Sequence, residues 1–377
     1  MSLTNASRMT AVDGAAVSPL VLQPFTLRGL TLRNRLVVSP MCQYSCDERD
    51  GLATDWHLVH LGSRAVGGAG LVLTEASAVV PEGRITPEDL GFWSDAHAEA
   101  LERIVRFIHG RGAAVGIQLA HAGRKASTSR PWLGGTALAD ADGGWTPLAP
   151  SALPFAETYR VPRAMDLAEV QAVIAAFADA ARRADRIGMD VIELHAAHGY
   201  LLHTFLSPLS NQRSDAYGGP FEHRARLLLE VVDAVRSAWP EHKPLIVRIS
   251  ATDWIDGGWD IEDSVRLAGL LQQRGVDAID CSTAGLGPSQ QIPLGPGYQV
   301  PFAERIRRDV GVATAAVGLI TEARQAEDIL ARGQADLIFM AREFLRDPYF
   351  PLHAAADLDA LDAVAWPEQY VRAAPRR

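Results

Sequence analysis

Cysteine is scarce in this chain: Cys42, Cys46 and Cys281 are the only three among 377 residues. An odd count without regular spacing excludes a disulfide-stapled secreted scaffold and points to a reducing, cytoplasmic compartment. Long apolar runs are also missing, since none reaches the ~18 residues of a membrane-spanning helix. The first 18 residues lack the basic start and compact apolar centre of a secretory signal and read as a flexible leader. Basic blocks are absent too. Acidic and basic residues are mixed along the chain and sum to a net charge of −9, which speaks against nucleic acid as a partner. No G-x-G-x-x-G follows an early strand, so an open doubly wound dinucleotide-binding sheet is the weaker reading of the fold.

What is present is ordinary in bulk and regular in order. Hydrophobic residues make up 48% and charged residues 21% of the chain, the balance of a globular protein. Eight short apolar runs recur: Leu36–Pro40, Leu71–Ala76, Ala114–Ala120, Asp190–Ala196, Leu245–Ser250, Ala278–Ser282, Thr314–Gly318 and Leu337–Ala341. Most do not alternate apolar with polar, so both faces should be buried, as in a parallel sheet. Amphipathic stretches lie between them. Asp95–Arg111 carries Leu101, Ile104, Val105 and Ile108 at helical spacing, and Asp166 with Glu169 forms a capping pair before another helix. Phe221–Trp239, Glu262–Arg274 and Glu322–Arg332 read the same way. Eight strand–helix units predict an α/β fold of the (β/α)₈ TIM-barrel type, one domain over residues 19–362. Before the first strand–helix unit, Phe25 to Arg33 alternates about Gly29, a β-hairpin signal suited to closing the bottom of a barrel. Residues 127–162 show no period and hold Trp132 and Trp145. A loop of that length after strand three would be a lid over the catalytic face.

Catalytic groups of such barrels sit at the carboxyl ends of the strands. The fourth run delivers His195, His198 and Tyr200 there. Two imidazole N–H groups suit a carbonyl oxygen on which charge builds, and a phenol suits proton donation. The alternatives are a metal site, which needs at least one further ligand, and a pair of plainly hydrogen-bonded histidines. Arg248 interrupts an apolar strand, and a buried guanidinium requires an anionic or electron-rich partner. That partner is either a barrel carboxylate such as Glu193 or Glu75, or an electron-accepting cofactor ring. Gln118 is either a core amide or a reader of a ring edge. Cys42 is either an apolar filler or a site residue beside Tyr44. Gly318, Ala341 and Arg342 occupy the loops that commonly hold phosphate in barrels.

Three motifs carry a family resemblance: Ser39-Pro-Met-Cys-Gln-Tyr44, the stretch from His195-Ala-Ala-His-Gly-Tyr through Asn211-Gln-Arg213, and Asp215-Ala-Tyr-Gly-Gly-Pro-Phe-Glu-His-Arg224. From about Leu22 to Arg372 the chain resembles the Old Yellow Enzyme family of FMN-dependent ene-reductases and NADPH dehydrogenases. Within it the chain is nearest the bacterial branch with a cysteine after strand one. The resemblance implies tightly bound FMN lined by Ser39, Pro40, Met41 and Cys42, with Cys42 tuning its potential. Ala76 and Gln118 would contact the ring, Arg248 would face its N1 and O2 side, and Ala341 and Arg342 would hold the phosphate. Ala341 stands where the family often has glycine. NADPH or NADH would reduce the flavin. A small enone, enal, maleimide or nitro compound would then be held by His195 and His198 beside Tyr44, take hydride at the β-carbon, and receive a proton from Tyr200 at the α-carbon. Asn211, Arg213, Asp215 and Glu222 would be structural. Residues 363–377, with Trp366 and Arg372, resemble a segment that enters a partner subunit's site, which implies a homodimer or larger homo-oligomer; the other reading is a frayed terminus. A metal-dependent barrel hydrolase built on the histidine pair is the competing function.

Overall fold

A computed structural model describes residues 18–375. The expected leader falls almost wholly outside those residues. Eight parallel strands close into a barrel: β1 (Leu36–Val38), β2 (Leu71–Ala78), β3 (Ala114–Ala120), β4 (Val191–Ala196), β5 (Leu245–Ser250), β6 (Ala278–Ser282), β7 (Ala313–Ala316) and β8 (Leu337–Met340). Neighbours in sequence are neighbours in the ring, and β8 pairs with β1 to close it. The sequence therefore locates all eight strands. The ends differ in small ways: Pro40, Gly318 and Ala341 lie beyond the last paired residues and belong to the loops that leave the barrel.

Burial explains why the strands read as apolar runs. Every residue of β4, β5, β6 and β8 is buried. Inward-facing Val37, Leu71, Leu73, Val191, Ile246, Ala278, Leu337 and Phe339 fill the barrel interior. The opposite faces pack against helices in a second, larger apolar cluster. The helix Asp95–His109 buries Leu101, Ile104, Val105 and Ile108, the stripe that its spacing predicts. The helix Leu167–Arg186 begins with the reciprocal cap, in which Glu169 N donates to Asp166 Oδ1 and Asp166 N donates to Glu169 Oε2.

The hairpin pairs Phe25–Leu27 with Leu30–Leu32 and closes the amino-terminal end of the barrel. Leu27 and Leu32 join the interior cluster. Its turn presses on the β4–β5 side of the molecule, where a Cβ on Gly29 would lie 2.5 Å from the His242 carbonyl oxygen. With the bottom sealed, the strand ends at the top are where ligands have access. Above them lies the segment 127–162. It contains short 3₁₀ turns (Pro131–Leu133, Asp140–Asp142), an antiparallel bridge between Thr128 and Ala137, and a two-residue strand, Leu148–Ala149, paired with Arg163–Ala164.

Candidate active site

Register places the polar residues of the barrel in two layers. Gln118 on β3 pairs with Glu193 on β4, and one layer higher His195 on β4, Arg248 on β5 and Asp280 on β6 lie side by side. Gln118 Nε2 donates to Glu193 Oε1 at 2.7 Å. Arg248 Nε lies 2.9 Å from Asp280 Oδ2. The arginine thus has an internal carboxylate, but it is neither Glu193 nor Glu75. Glu193 is a layer deeper and engaged with Gln118. Glu75 takes the Gln43 N–H at 2.8 Å and lies 3.1 Å from His57 Nε2. Burial holds the carboxyls of both Glu193 and Asp280 above the usual carboxylate range, and Arg248 opposes that shift in each.

The turn after β4 is built with care. His198 and Gly199 both take left-handed backbone, with φ of 59° and 72°. A Cβ on Gly199 would lie 2.2 Å from the Gly285 carbonyl oxygen, so only glycine fits the close approach of the two loops. A fully buried chain braces the turn. Gly199 N donates to His203 Nδ1 at 2.8 Å, and His203 Nε2 lies 2.9 Å from Asp253 Oδ1. Asp253 Oδ2 takes further hydrogen bonds from Ser207 Oγ and Trp259 N.

That brace brings the three candidate residues together. The His195 ring lies 5.1 Å from that of His198 and 4.9 Å from that of Tyr200, centroid to centroid. His198 Nε2 and Ser282 Oγ share a 2.7 Å hydrogen bond. His195 Nδ1 is buried with no partner among the described residues. Desolvation, reinforced by Arg248, keeps both imidazoles well below their usual pKa, so both are neutral and each carries one N–H. Desolvation pushes the Tyr200 phenol well above its ordinary value. Tyr44 adopts φ 53° and meets Trp132 of the lid edge-on at 5.8 Å. Burial pushes the Cys42 thiol up strongly, which makes it a neutral thiol rather than a thiolate.

Beside this cluster is a cavity of about 180 Å³, lined among others by Arg248, Ser282, Gln299, Gly318, Ala341 and Arg342. Four of the residues predicted to hold cofactor therefore share one cavity. A Cβ on Gly318, whose φ is 112°, would lie 2.6 Å from Gln299 Nε2 and fill part of it. Ser39 abuts the same region, since its N–H donates to the Met340 carbonyl oxygen, and its buried hydroxyl has no partner among the described residues. Pro40, Met41 and Cys42 continue from it. Ala76 sits instead at a small cavity shared with Tyr200 and Asp89. Arg248 and Ser282 each belong both to the cavity lined by Gly318 and Arg342 and to the histidine cluster. A cavity lined by Arg248, Arg342 and Gly318 and abutted by the unpartnered Ser39 hydroxyl fits a phosphate-bearing polar cofactor such as FMN.

Sequence reasoning missed four contributors. Asp280 breaks an apolar run just as Arg248 does, and that was a readable sign of a matched pair. Ser282 is the last residue of its strand, the position from which catalytic groups are drawn. Lys125 and Asp89 gave no local signal. The metal alternative loses ground, since no group of three potential ligands forms among the described residues and His198 Nε2 is engaged by Ser282. The four residues expected to be structural are engaged within the protein: Arg213 pairs with Asp215, Asn211 Nδ2 donates to the carbonyls of Phe205 and Tyr217, and Glu222, in the first turn of the helix Phe221–Ala238, pairs with Arg266.

Residues 21–360 match the family model described as NADH:flavin oxidoreductase / NADH oxidase. The chain is 49% identical over 339 residues to an NADPH dehydrogenase of a Geobacillus species, covering 90% of this chain and 94% of that protein. It resembles 2-naphthoyl-CoA reductase bound to 2-naphthoyl-CoA with a TM-score of 0.82 at 26% identity, over 90% of this chain; it spans about half (52%) of that reductase. Morphinone reductase matches with a TM-score of 0.74 at 28% identity, over 91% of both chains.

Proposed function

The chain belongs to the NADH:flavin oxidoreductase / NADH oxidase family, within the Old Yellow Enzyme group, and from that premise we propose that it is an NADPH dehydrogenase reducing the C=C bond of α,β-unsaturated carbonyl or nitro compounds. Bound FMN would supply the hydride chemistry, with NADPH or NADH as the reductant and the β-carbon of the substrate as the acceptor. The protein's own residues do the rest. Neutral His195 and His198 each offer an N–H to the carbonyl oxygen. Such donors gain strength as charge builds on that oxygen, and each is worth ~3 kcal/mol in a water-poor site. Ser282 donates its hydroxyl proton to His198 Nε2, which fixes the tautomer that carries N–H on Nδ1. Tyr200, kept protonated by its surroundings, hands its proton to the α-carbon as the enolate forms. Arg248, neutralised on one side by Asp280, presents its remaining N–H groups toward the cofactor cavity. Tyr44 and Trp132 wall the substrate.

The observation that carries this reading is the sharing of Arg248 and Ser282 between the cofactor cavity and the histidine cluster. On this reading the cofactor and the carbonyl-activating histidines would be neighbours. The test is product analysis: anaerobic incubation with NADPH and 2-cyclohexenone should yield cyclohexanone, and NADPH consumption without that product would refute ene reduction. We further propose a homo-oligomer in which the carboxyl-terminal segment takes part. Its 3₁₀ helix Glu368–Ala373 leaves Tyr370 and Val371 exposed. Light scattering at a mass of one chain would refute that. No helix among the described residues is long and apolar enough to cross a membrane, and the three cysteines are free, in keeping with a reducing cytoplasmic setting.

A further inference from the structure

The chain contains only two lysines, Lys125 and Lys243, and they are treated very differently. Lys243 Nζ donates to Asp185 Oδ1 at 2.7 Å and to the Met189 carbonyl at 2.9 Å, and it lies over the Trp239 ring. Its charge is matched. Lys125 follows β3, at the ligand-accessible end of the barrel. Its Nζ donates to the His198 carbonyl at 2.7 Å, lies 4.1 Å from the centroid of the Phe155 ring and 5.5 Å from that of Tyr200. No carboxylate among the described residues pairs with it, and its neighbour Arg124 is a second cation. Arg124 is spent on carbonyls, those of Leu286, Leu153 and Pro154. Lys125 is left with two N–H donors and an unmatched charge beside the Phe155 and Tyr200 rings. A half-buried ammonium in that position is costly unless an anion completes it.

We propose that Lys125 is an anion-recognition residue of the substrate pocket, selecting oxidising substrates that carry a carboxylate about one aromatic ring away from the activated carbonyl. This rests on the carbonyl-binding role proposed for His195 and His198. The position fits: Lys125 holds the backbone of His198 and faces the Tyr200 ring, so an anion on it lies beside the carbonyl site without competing for the histidine N–H groups. Phe155 and Tyr159, stacked edge-on at 4.8 Å, close the same side from the lid segment. The titratable and charged groups around Lys125 are Arg124, His195, His198, Tyr200 and Tyr159. Burial, and next the Arg124 charge, bring the amine down to about 7, so the free enzyme carries the cation at pH 6 and largely loses it by pH 8. The same anionic chemistry could come from a phosphate of the dinucleotide reductant, so the experiment must separate the two sources.

The measurement is equilibrium binding to the FMN holoenzyme, by flavin absorbance or calorimetry, of 4-hydroxybenzoate against its neutral isostere 4-hydroxybenzamide. Both present the same phenol to the histidine pair and differ only in the charge at the far end. At pH 6 the wild type should bind the carboxylate at least tenfold more tightly than the amide, and the preference should fall toward pH 8. Lys125→Met should erase the ratio, and Lys125→Arg should keep it and remove its pH dependence. The ratio is the informative quantity, because loss of the hydrogen bond to His198 would weaken both ligands alike. Equal ratios in wild type and Lys125→Met would overturn the proposal. So would an unchanged ratio together with slower reduction by NADPH relative to NADH in that variant, which would assign the cation to the reductant's phosphate. If the phenols bind only weakly in every form, the histidine role fails instead; benzoate against benzamide then reads Lys125 alone, and a preference lost in Lys125→Met still upholds the anion site, while no preference overturns it.

Discussion

Ser282→Ala isolates the hydroxyl that sets the state of His198. The hydroxyl sits 2.7 Å from His198 Nε2 in a residue that is 4% exposed. His198 is neutral because burial and Arg248 depress its pKa. In the proposed tautomer Nε2 accepts from the serine and the N–H is on Nδ1. Without it, a buried ring nitrogen is unsatisfied or the proton moves to Nε2, and the carbonyl oxygen loses a donor. Leaving one buried acceptor unpaired costs ~1–3 kcal/mol. Taking about 2 kcal/mol, with 1.36 kcal/mol per factor of ten, predicts a roughly 30-fold slower oxidative half-reaction. The assay is anaerobic stopped flow, mixing reduced enzyme with 2-cyclohexenone and following return of the flavin band. Because Ser282 also lines the cofactor cavity, flavin content and the rate of reduction by NADPH are measured alongside and should change less than threefold. Loss of less than a factor of three in the oxidative step would refute the tautomer argument. Equal loss in both half-reactions would make Ser282 a cofactor residue only.

Tyr200→Phe should slow the oxidative half-reaction by ~10²–10⁴ while leaving reduction by NADPH nearly intact; equal losses would remove Tyr200 from its role. Gly318→Ala should weaken FMN binding at least tenfold, since the new Cβ meets Gln299 Nε2 at 2.6 Å at a φ of 112° and such strain is worth ~1–3 kcal/mol; ultrafiltration and flavin fluorescence read it, and undiminished flavin retention would show that the cavity does not hold the cofactor. With a neutral enone the oxidative half-reaction should show no acid limb near pH 6.5 from the histidines and no loss of the Tyr200 proton up to pH 9. The sign follows from the shifts: the imidazoles are depressed, so they stay neutral donors well below pH 6.5, and the Tyr200 phenol is raised, so it keeps its proton above pH 10. An acid limb near 6.5 would mean ordinary, solvated histidines. Asp280→Ala should destabilise the fold by ~3–5 kcal/mol, because it strands the Arg248 cation in the barrel; a denaturation midpoint unchanged from wild type would show that the pair is dispensable.

The barrel was legible because parallel strands with both faces buried leave continuous apolar runs, and all eight were found by that sign. The helices were legible from their stripes, down to the cap at Asp166 and Glu169. The positions of His195, His198 and Tyr200 followed from the rule about strand ends, and their mutual approach now has a cause in the Gly199–His203–Asp253 brace. Pairings across strands were not legible. Whether Arg248 meets Glu193 or Asp280 depends on register between strands more than 30 residues apart, and no local pattern encodes it. Lys125 and Asp89 act from loops whose path is set by tertiary contact, and residues 127–162 have no period from which to read one.

The most direct measurement is an anaerobic visible spectrum of the purified protein, taken before NADPH, after NADPH, and after 2-cyclohexenone. The account predicts a flavin band that bleaches with NADPH and returns in full with the enone. A flavin that is reduced but stays bleached in the presence of enone, or a protein that FMN cannot reconstitute, would contradict it.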